Sequence, residues 1–345
     1  MIISKKEETK MAGVSRIEWI DTTKGIGILL VMINHISLYL NIGNNNAAIN
    51  LFDNILGSID MPLFFFISGY LYKKQNDVLA VIKNKIKRLL IPFMFFYIVF
   101  SVIIPVCFIL FNYHCPLIIN NGITIKMLIG DFIYNDCQII NGPLWFLLSL
   151  FEIQVFFTIV SKSLHKIALL FFSFFCGVIG LLLSFYSINF YLSLDNALTC
   201  FPFFTFGYYL RNRSKFLSDN NHYKRFYYIL ISAFACILTT SHVEFHRNLF
   251  FDYSYFTVYP CGIAGIFLVI YIAQSIKSNL FINYLGKYSI IVLCTHYILL
   301  KLIVYTLPIN HPFLVFSITF IIVTISQFII IPICRKFIPN LTALK

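Results

Sequence analysis

The stretch GIGILLVMINHISLYL, residues 25–40, is nearly all apolar, yet it carries Asn34 and His35. The polar and charged sequence IEWIDTTK, residues 17–24, precedes it directly. A long apolar run of this kind predicts a helix that crosses the membrane. Ionisable side chains inside such helices are costly, and they usually face the protein interior or an aqueous cavity. His35 is therefore the first candidate for a functional residue.

The composition of the whole chain is that of an integral membrane protein. Of its 345 residues, 59% are hydrophobic and 12% are charged, whereas soluble proteins average about 25% charged residues. The first 25 residues are polar and basic, which is not the pattern of a cleavable signal peptide. Most of the nine cysteines lie in apolar runs, where we expect them to be small buried residues.

Ten apolar segments alternate with polar connections along the chain. They are residues 26–42, 60–72, 89–111, 143–161, 167–185, 197–210, 226–240, 255–275, 289–307 and 313–334. The second and sixth segments are short and bounded by proline or glycine, so they either extend into their flanks or are broken helices. We predict an all-α bundle of about ten transmembrane helices over residues 16–335. Residues 1–15 and 336–345 form short tails, and 43–59 is an outer loop.

The basic residues predict the orientation of this bundle. Nearly all of the 26 lysines and arginines fall on one side if there are ten spans, and positive charge marks the cytoplasmic side. Both termini are then cytoplasmic, and the protein is a multi-pass protein of a bacterial inner (plasma) membrane. The net charge of +12 is explained by this asymmetry, so we predict no nucleic-acid partner.

Lys24 and His35 lie on one face of the predicted first helix. Eleven residues make about three turns, and they separate the two side chains by about 16 Å along the axis. Asp21 lies one turn before Lys24 on the same face. Histidine titrates near neutral pH and is suited to general-base catalysis. Asp21 is a candidate member of this catalytic group that pairs with Lys24 or another basic residue, and the alternative is a favourable first-turn charge. The alternative for His35 is a structural hydrogen bond.

Six motifs in order resemble those of the membrane-bound acyltransferase-3 family, in particular its fucose 4-O-acetylase-like branch. The first is IDTTKGIGILLVMINH (20–35), in which Lys24 stands where that family typically has arginine. The others are MPLFFFISGYLYKK (61–74), KNKIKRLLIPF (83–93), NGPLWFLLSLF (141–151), FFTFGYYLRN (203–212) and YLGKYSIIVLCTH (284–296). The resemblance covers about residues 16 to 335.

This resemblance implies transfer of an acyl group, usually acetyl, from cytoplasmic acetyl-CoA to a sugar hydroxyl. The acceptor is then a cell-surface polysaccharide or its lipid-linked precursor. We expect Lys24, with Lys85, Lys87 or Arg88, to hold the CoA phosphates. His35 is expected to deprotonate the acceptor hydroxyl. The lipid bilayer, acetyl-CoA and the glycan are the predicted partners, and the oligomeric state is left open.

Four further residues are candidates for the wall of a substrate cavity, namely Ser68, Trp145, Glu152 and His296. Trp145 is alternatively an interfacial anchor, Glu152 a member of a structural ion pair, and His296 a partner in a helix–helix hydrogen bond. Gly69, next to Ser68, favours close helix packing. We expect Lys24, His35, Glu152 and His296 to face one cavity open to the cytoplasm.

The outer loop around His242 and His246 carries two histidines four residues apart. On a helix this spacing would place both imidazoles on one metal, but no third ligand stands at a suitable spacing. We predict no metal, and acceptor binding is a second possibility for this loop.

Two other functions compete with the acyltransferase. A glycan or lipid transporter, such as a flippase, also has many spans and embedded charges, but transporters often contain internal repeats, and we find none here. The second is a catalytically inactive family member that acts as a sensor or scaffold.

Overall fold

The computed structural model describes residues 18–75, 77–103, 141–211, 222–276, 279–307 and 311–339. Almost all of this part of the chain is helical. The helices are α1 Glu18–Tyr39, α2 Ala47–Leu71, α3 Val78–Lys85, α4 Ile91–Ile98, α5 Trp145–Ser163, α6 Lys166–Phe185, α7 Leu194–Arg211, α8 His222–Leu238, α9 Ser254–Ser275, α10 Leu280–Lys287, α11 Ser289–Thr306 and α12 Pro312–Phe337. A π-helical segment, Ile86–Leu90, joins α3 to α4.

One β-hairpin interrupts this all-helical pattern. Strand β1, Val243–Glu244, pairs antiparallel with β2, Leu249–Phe250. The hairpin falls in the connection that the sequence placed between two spans, at residues 241–254.

Six of the described helices are long and apolar enough to cross a membrane. They are α2, α5, α6, α9, α11 and α12, with α5 counted from Gly142. Helices α1, α7 and α8 cover three more of the predicted segments but fall outside this set of six. Only part of the segment 89–111 is described. The protein is therefore a helical, multi-pass membrane protein, and the count of ten spans and the position of the termini stay predictions.

Helix α2 corrects the predicted loop at 43–59. The helix begins at Ala47, where the side chain of Asn46 accepts hydrogen bonds from the backbone N–H groups of Ala48 and Ile49. Such a cap satisfies donors that the first turn of a helix otherwise leaves unpaired. The polar residues after it belong to the helix, and one of them, Asp53, accepts a hydrogen bond from Ser37 of α1.

The prolines of the second and sixth segments do not break their helices. Pro62 lies inside α2, and Pro202 lies inside α7. Both segments extend into their flanks, so this alternative is right and the broken-helix alternative is wrong.

Glycines allow two close helix crossings in the bundle. A Cβ atom added at Gly69 on α2 would collide with the backbone carbonyl of Phe204 on α7. A Cβ atom at Gly286 on α10 would collide with the backbone carbonyl of Asp21 on α1. The packing interpretation of Gly69 is therefore confirmed, and the second crossing brings Lys287 to the Lys24 end of α1.

The core is aromatic, and large apolar faces point outward. Phe65, Phe66 and Phe204 are completely buried, whereas α6 exposes Phe171, Phe174 and other apolar side chains. Exposed apolar surfaces of this extent mark a membrane-facing protein. The six described cysteines are buried and free, as expected: Cys176, Cys200, Cys236, Cys261, Cys294 and Cys334.

Candidate active site

Two histidines meet where α1 and α11 come together. His35 Nδ1 lies 2.9 Å from His296 Nε2, and the two ring planes are nearly parallel, at 11°. His296 is buried and His35 is half-buried. The sequence singled out both residues separately, and the structure joins them in one hydrogen bond.

The hydrogen bonds of this pair fix where the protons sit. His296 Nδ1 lies 2.9 Å from the backbone carbonyl of Val292, and a carbonyl only accepts, so this nitrogen carries a proton. In the neutral ring, His296 Nε2 is then an acceptor, and His35 Nδ1 must donate to it. The remaining nitrogen, His35 Nε2, is left with a free lone pair. His35 is thus held in the tautomer that a general base requires.

His35 faces a cavity of about 590 Å³, called here the His35 cavity. This volume lies within the range of small-molecule sites, about 300–1,000 Å³. Its wall is built from α1, α2, the start of α5, the β-hairpin and α11. Among the lining residues are Asn34, His35, Asp53, Asp60, Trp145, His242, Glu244, His246, Arg247 and Tyr297.

Two aspartates of α2 line the His35 cavity, and sequence reasoning missed both. Asp60 is buried, and its two carboxylate oxygens accept from Asn34 Nδ2 at 3.1 Å and from the Met61 N–H at 2.6 Å. Asp53 accepts from the Ser37 hydroxyl at 2.8 Å. The aspartates are seven residues apart, which is close to two helical turns and places them on one face. That spacing was the available signal, but Asp53 fell in the predicted loop 43–59, whereas Asp60 began the predicted segment 60–72.

The β-hairpin covers one side of the His35 cavity with charged side chains. Glu244 lies 3.6 Å from Arg247 and 3.8 Å from His246. Burial, with the positive charge of Arg247, lowers the pKa of His246 to about 4. The hairpin therefore presents an ion pair and an uncharged imidazole at neutral pH. Within the described ranges, no group of three or more His, Cys, Asp or Glu side chains is arranged to hold a metal.

Asn248 anchors this hairpin to the helices beneath it. Its backbone has a left-handed conformation, with φ of 49°, and asparagine tolerates such a turn better than most residues. The side chain accepts from the Thr199 hydroxyl at 2.7 Å and donates to the Gly180 carbonyl at 2.9 Å. These bonds hold the hairpin against α6 and α7.

A second, smaller cavity of about 150 Å³ lies at the Lys24 end of α1 and is called here the Lys24 cavity. Lys24 and Lys287 supply its positive charge, and Ser68 lines it as well. The rest of its wall comes largely from apolar residues of α2, α5 and α11. Lys287 was not predicted as a site residue, because its charge was attributed to membrane orientation.

The basic residues that were expected to bind CoA lie at the entry to α4. Lys85 ends α3, and Lys87 and Arg88 belong to the π-helical segment, a type of irregularity that is frequent at functional sites. The next residue, Leu89, lines the Lys24 cavity. Burial, with the nearby charge of Arg88, lowers the pKa of Lys85 to about 8. Lys87 and Arg88 are exposed.

The structure does not bring the four expected residues to one cavity. Lys24 and His35 line different cavities, and neither Glu152 on α5 nor His296 on α11 is a lining residue of the two described here. The face of α1 between them is filled, because Ile28 and Val31 are completely buried in the core. Helical periodicity placed both side chains on one stripe correctly but carried no information on this packing.

Trp145 and Asp21 have different surroundings. Trp145 is 3% exposed and lines the His35 cavity, so it stands in the cavity wall and not at the lipid interface. Asp21 is half-buried near α10, and it is not among the lining residues of either described cavity.

An aromatic layer stands between the two cavities. Phe65 packs on Phe146 with ring centroids 4.9 Å apart and on Trp145 at 6.2 Å. Phe64 contacts Phe146 from the same layer at 6.0 Å. Trp145 faces the His35 cavity, whereas Phe64 and Phe146 face the Lys24 cavity. The cavities thus follow one another along the same helices with this layer between them.

A comparison with protein families decides what kind of protein carries this site. The family model of the acyltransferase domain matches residues 17–332, which include both cavities. The chain belongs to the acyltransferase-3 family. The resemblance predicted from the six motifs is therefore confirmed, and this acyltransferase-3 protein is a membrane acyltransferase. No curated protein and no solved structure matches it.

Proposed function

We propose that this protein moves an acetyl group from acetyl-CoA to a sugar hydroxyl of a cell-surface polysaccharide or of its lipid-linked precursor. The hydrogen-bonded chain from His35 through His296 to the Val292 carbonyl carries the proposal. An alcohol is a weak nucleophile, so acyl transfer to it needs a base that removes its proton. His35 Nε2 is such a base, and its side chain faces a cavity of ligand size.

In the proposed reaction, His35 Nε2 takes the proton of the acceptor hydroxyl while the oxygen attacks the thioester carbonyl. The new C–O bond forms, the C–S bond breaks, and the proton passes from His35 to the departing sulfur. The products are the acetyl ester and the free thiol of CoA. His35 Nδ1 donates to His296 throughout, so the ring returns in the tautomer that begins the next cycle.

The donor substrate is proposed to enter at the Lys24 end of α1. Acetyl-CoA is polyanionic, and Lys24 and Lys287 supply positive charge inside the Lys24 cavity. At about 150 Å³ this cavity is smaller than typical ligand sites, so it would take only the thin pantetheine arm. Lys85, Lys87 and Arg88 would then meet the phosphates outside it. We propose that this end faces the cytoplasm, where the basic residues cluster.

The same proposal requires the aromatic layer to open. The thioester must pass from the Lys24 cavity to His35, and Phe146 and Trp145 separate the two spaces. Rotation of these two side chains would connect the two cavities while the helices stay in place.

Transfer of label tests the proposed function directly. The full-length protein, purified and reconstituted in lipid nanodiscs, is incubated with acetyl-CoA labelled in the acetyl group. The acceptor is the glycan fraction of a strain that lacks the gene. We expect the label to enter the glycan as an alkali-labile ester, and His35→Gln to prevent this. Movement of a lipid-linked glycan across vesicles without any incorporation of label would favour a transporter and overturn the proposal.

A further inference from the structure

We infer that the His35 cavity selects an uncharged, hydroxyl-rich sugar ring as acceptor and disfavours acidic sugars. The inference rests on the proposed function, and it assigns the recognition of the acceptor to Asn34, Asp53 and Asp60. None of these three residues has a role in the reaction steps described above.

Two buried oxygen atoms of the cavity wall lack a hydrogen-bond donor within the part of the chain that the structure describes. Asn34 donates through Nδ2 to Asp60, but its Oδ1 has no partner. Asp53 accepts from Ser37 on Oδ2, but its Oδ1 has no partner. Both residues are more than nine-tenths buried. Buried acceptors without donors cost free energy. A ligand that donates hydrogen bonds, as hydroxyl groups do, is therefore favoured at this wall.

The charge of the cavity wall argues against an acidic acceptor. Both oxygens of Asp60 accept hydrogen bonds from N–H groups, and Asp53 accepts from the Ser37 hydroxyl, so both residues act as acceptors in the wall. Among the described lining residues the cation is Arg247, and it lies beside Glu244 at 3.6 Å. Asp53 and Asp60 therefore leave the wall of α2 with acceptor oxygens and without a cation. A carboxylate on the acceptor ring would find neither a hydrogen-bond donor nor an unpaired positive charge among these groups.

Aromatic rings of the same cavity suit the other face of a sugar. Trp145 and Tyr297 line the cavity, and the Tyr297 ring lies 5.4 Å from the ring of His35. Aromatic side chains offer large apolar contact area together with a polar tip. A pyranose has an apolar C–H face and an equatorial belt of hydroxyls, so it matches both parts of this wall.

The test uses two acceptors that differ only in charge, an alkyl glucoside and the corresponding alkyl glucuronide. Acetyl transfer to each is measured with the full-length protein in nanodiscs, and transfer to the native glycan serves as the positive control. We expect kcat/KM for the glucoside to exceed that for the glucuronide by about tenfold or more, as one carboxylate that is desolvated without a partner predicts. Asp53→Asn is expected to reduce this ratio to about threefold or less.

Two further variants separate recognition from folding. Asp195→Asn changes a buried carboxylate on α7 that is not part of the His35 cavity wall, and it should leave the ratio unchanged. Glu244→Gln removes the carboxylate beside Arg247 on the half-exposed hairpin, so it should raise kcat/KM for the glucuronide by about threefold. The Glu244→Gln variant keeps the inference testable if Asp53→Asn does not fold.

The outcomes distinguish the inference from the proposed function. If transfer to the native glycan is intact but the glucuronide is used as well as the glucoside, the inference is wrong and the proposed function stands. The inference also fails if the glucoside is neither acetylated nor inhibitory under those conditions. If the native glycan receives no acetyl group either, the proposed function fails with it.

Discussion

The two cavities along α1 differ in size, charge and composition. The Lys24 cavity is small and largely apolar, with two lysines in its wall, whereas the His35 cavity is about four times larger and lined by acids, histidines and aromatic rings. Under the proposed function, the polyanionic donor enters the first cavity and the hydroxyl-rich acceptor enters the second. The two cavities would then each serve one substrate.

Both cavities share the same helices, so their separation is a matter of side chains. Helix α1 carries Lys24 in one wall and His35 in the other, with Ile28 and Val31 buried between them. Variants on either side should therefore affect different kinetic constants. The predictions below are ordered from the largest expected effect to the smallest.

Replacing His35, the proposed base, should cause the largest loss. We expect His35→Gln to lower kcat for acetyl transfer by about 10²–10⁴-fold, the usual contribution of general-base catalysis. KM for acetyl-CoA should be unchanged, because the Lys24 cavity is untouched. Initial rates with labelled acetyl-CoA measure both constants. A fall in kcat of less than about threefold would show that His35 is not the base.

Removing the partner of the base should cause a smaller loss. His296→Leu leaves His35 Nδ1 without its acceptor, so we expect kcat to fall by about tenfold. His296→Gln keeps an acceptor oxygen and should recover most of this loss, which a purely structural role of His296 would not predict. The melting temperature of each variant is measured first, and kcat is compared at a temperature at which both variants are folded. Equal activity of the leucine and glutamine variants would contradict the positioning role.

Raising the pH should weaken donor binding through Lys85. Its pKa is lowered to about 8, so the side chain is positive at pH 7 and loses its charge as the pH rises towards 9. We expect KM for acetyl-CoA to rise about threefold over this interval. Lys85→Arg keeps its charge and should abolish the rise. If the arginine variant shows the same pH dependence, Lys85 is not the titrating group.

Ser68 should contribute least, because it lines the Lys24 cavity and not the cavity of the base. We expect Ser68→Ala to change kcat by less than about twofold. A serine nucleophile needs a base close by, and the proposed base, His35, lines the other cavity. Rapid-quench kinetics with the native protein should show no burst of an acyl-enzyme. A burst that disappears in Ser68→Ala would instead make Ser68 a nucleophile.

The hydropathy of the sequence predicted the helices well where a polar residue was absent or isolated. Helix α1 and its stripe from Lys24 to His35 follow from periodicity and from the high cost of charge in lipid. The first half of α2 was missed, because Asp53 and Asn54 resemble loop residues in sequence. In the folded protein Asp53 is hydrogen-bonded by Ser37 of α1, and no local pattern reports such a partner.

The two histidines of the site were predictable one by one but not as an arrangement, and Asp53, Asp60 and Lys287 were missed. His35 and His296 were both chosen for their position inside apolar segments, yet their hydrogen bond joins residues 261 positions apart. Trp145 was a candidate for the cavity wall with an interfacial anchor as the alternative, and only its burial and its place in the lining of the His35 cavity decide between them. Family motifs supplied the order of the helices but not which side chains would share a cavity.

Direct binding of CoA tests the division between the two cavities most sharply. The dissociation constant is measured by isothermal titration calorimetry for the native protein, Lys24→Ala and His35→Gln in nanodiscs. The account predicts that Lys24→Ala weakens binding by about tenfold, as loss of one cation beside a polyanionic ligand would, while His35→Gln binds as the native protein does. Equal weakening in both variants, or weakening in His35→Gln alone, would contradict it.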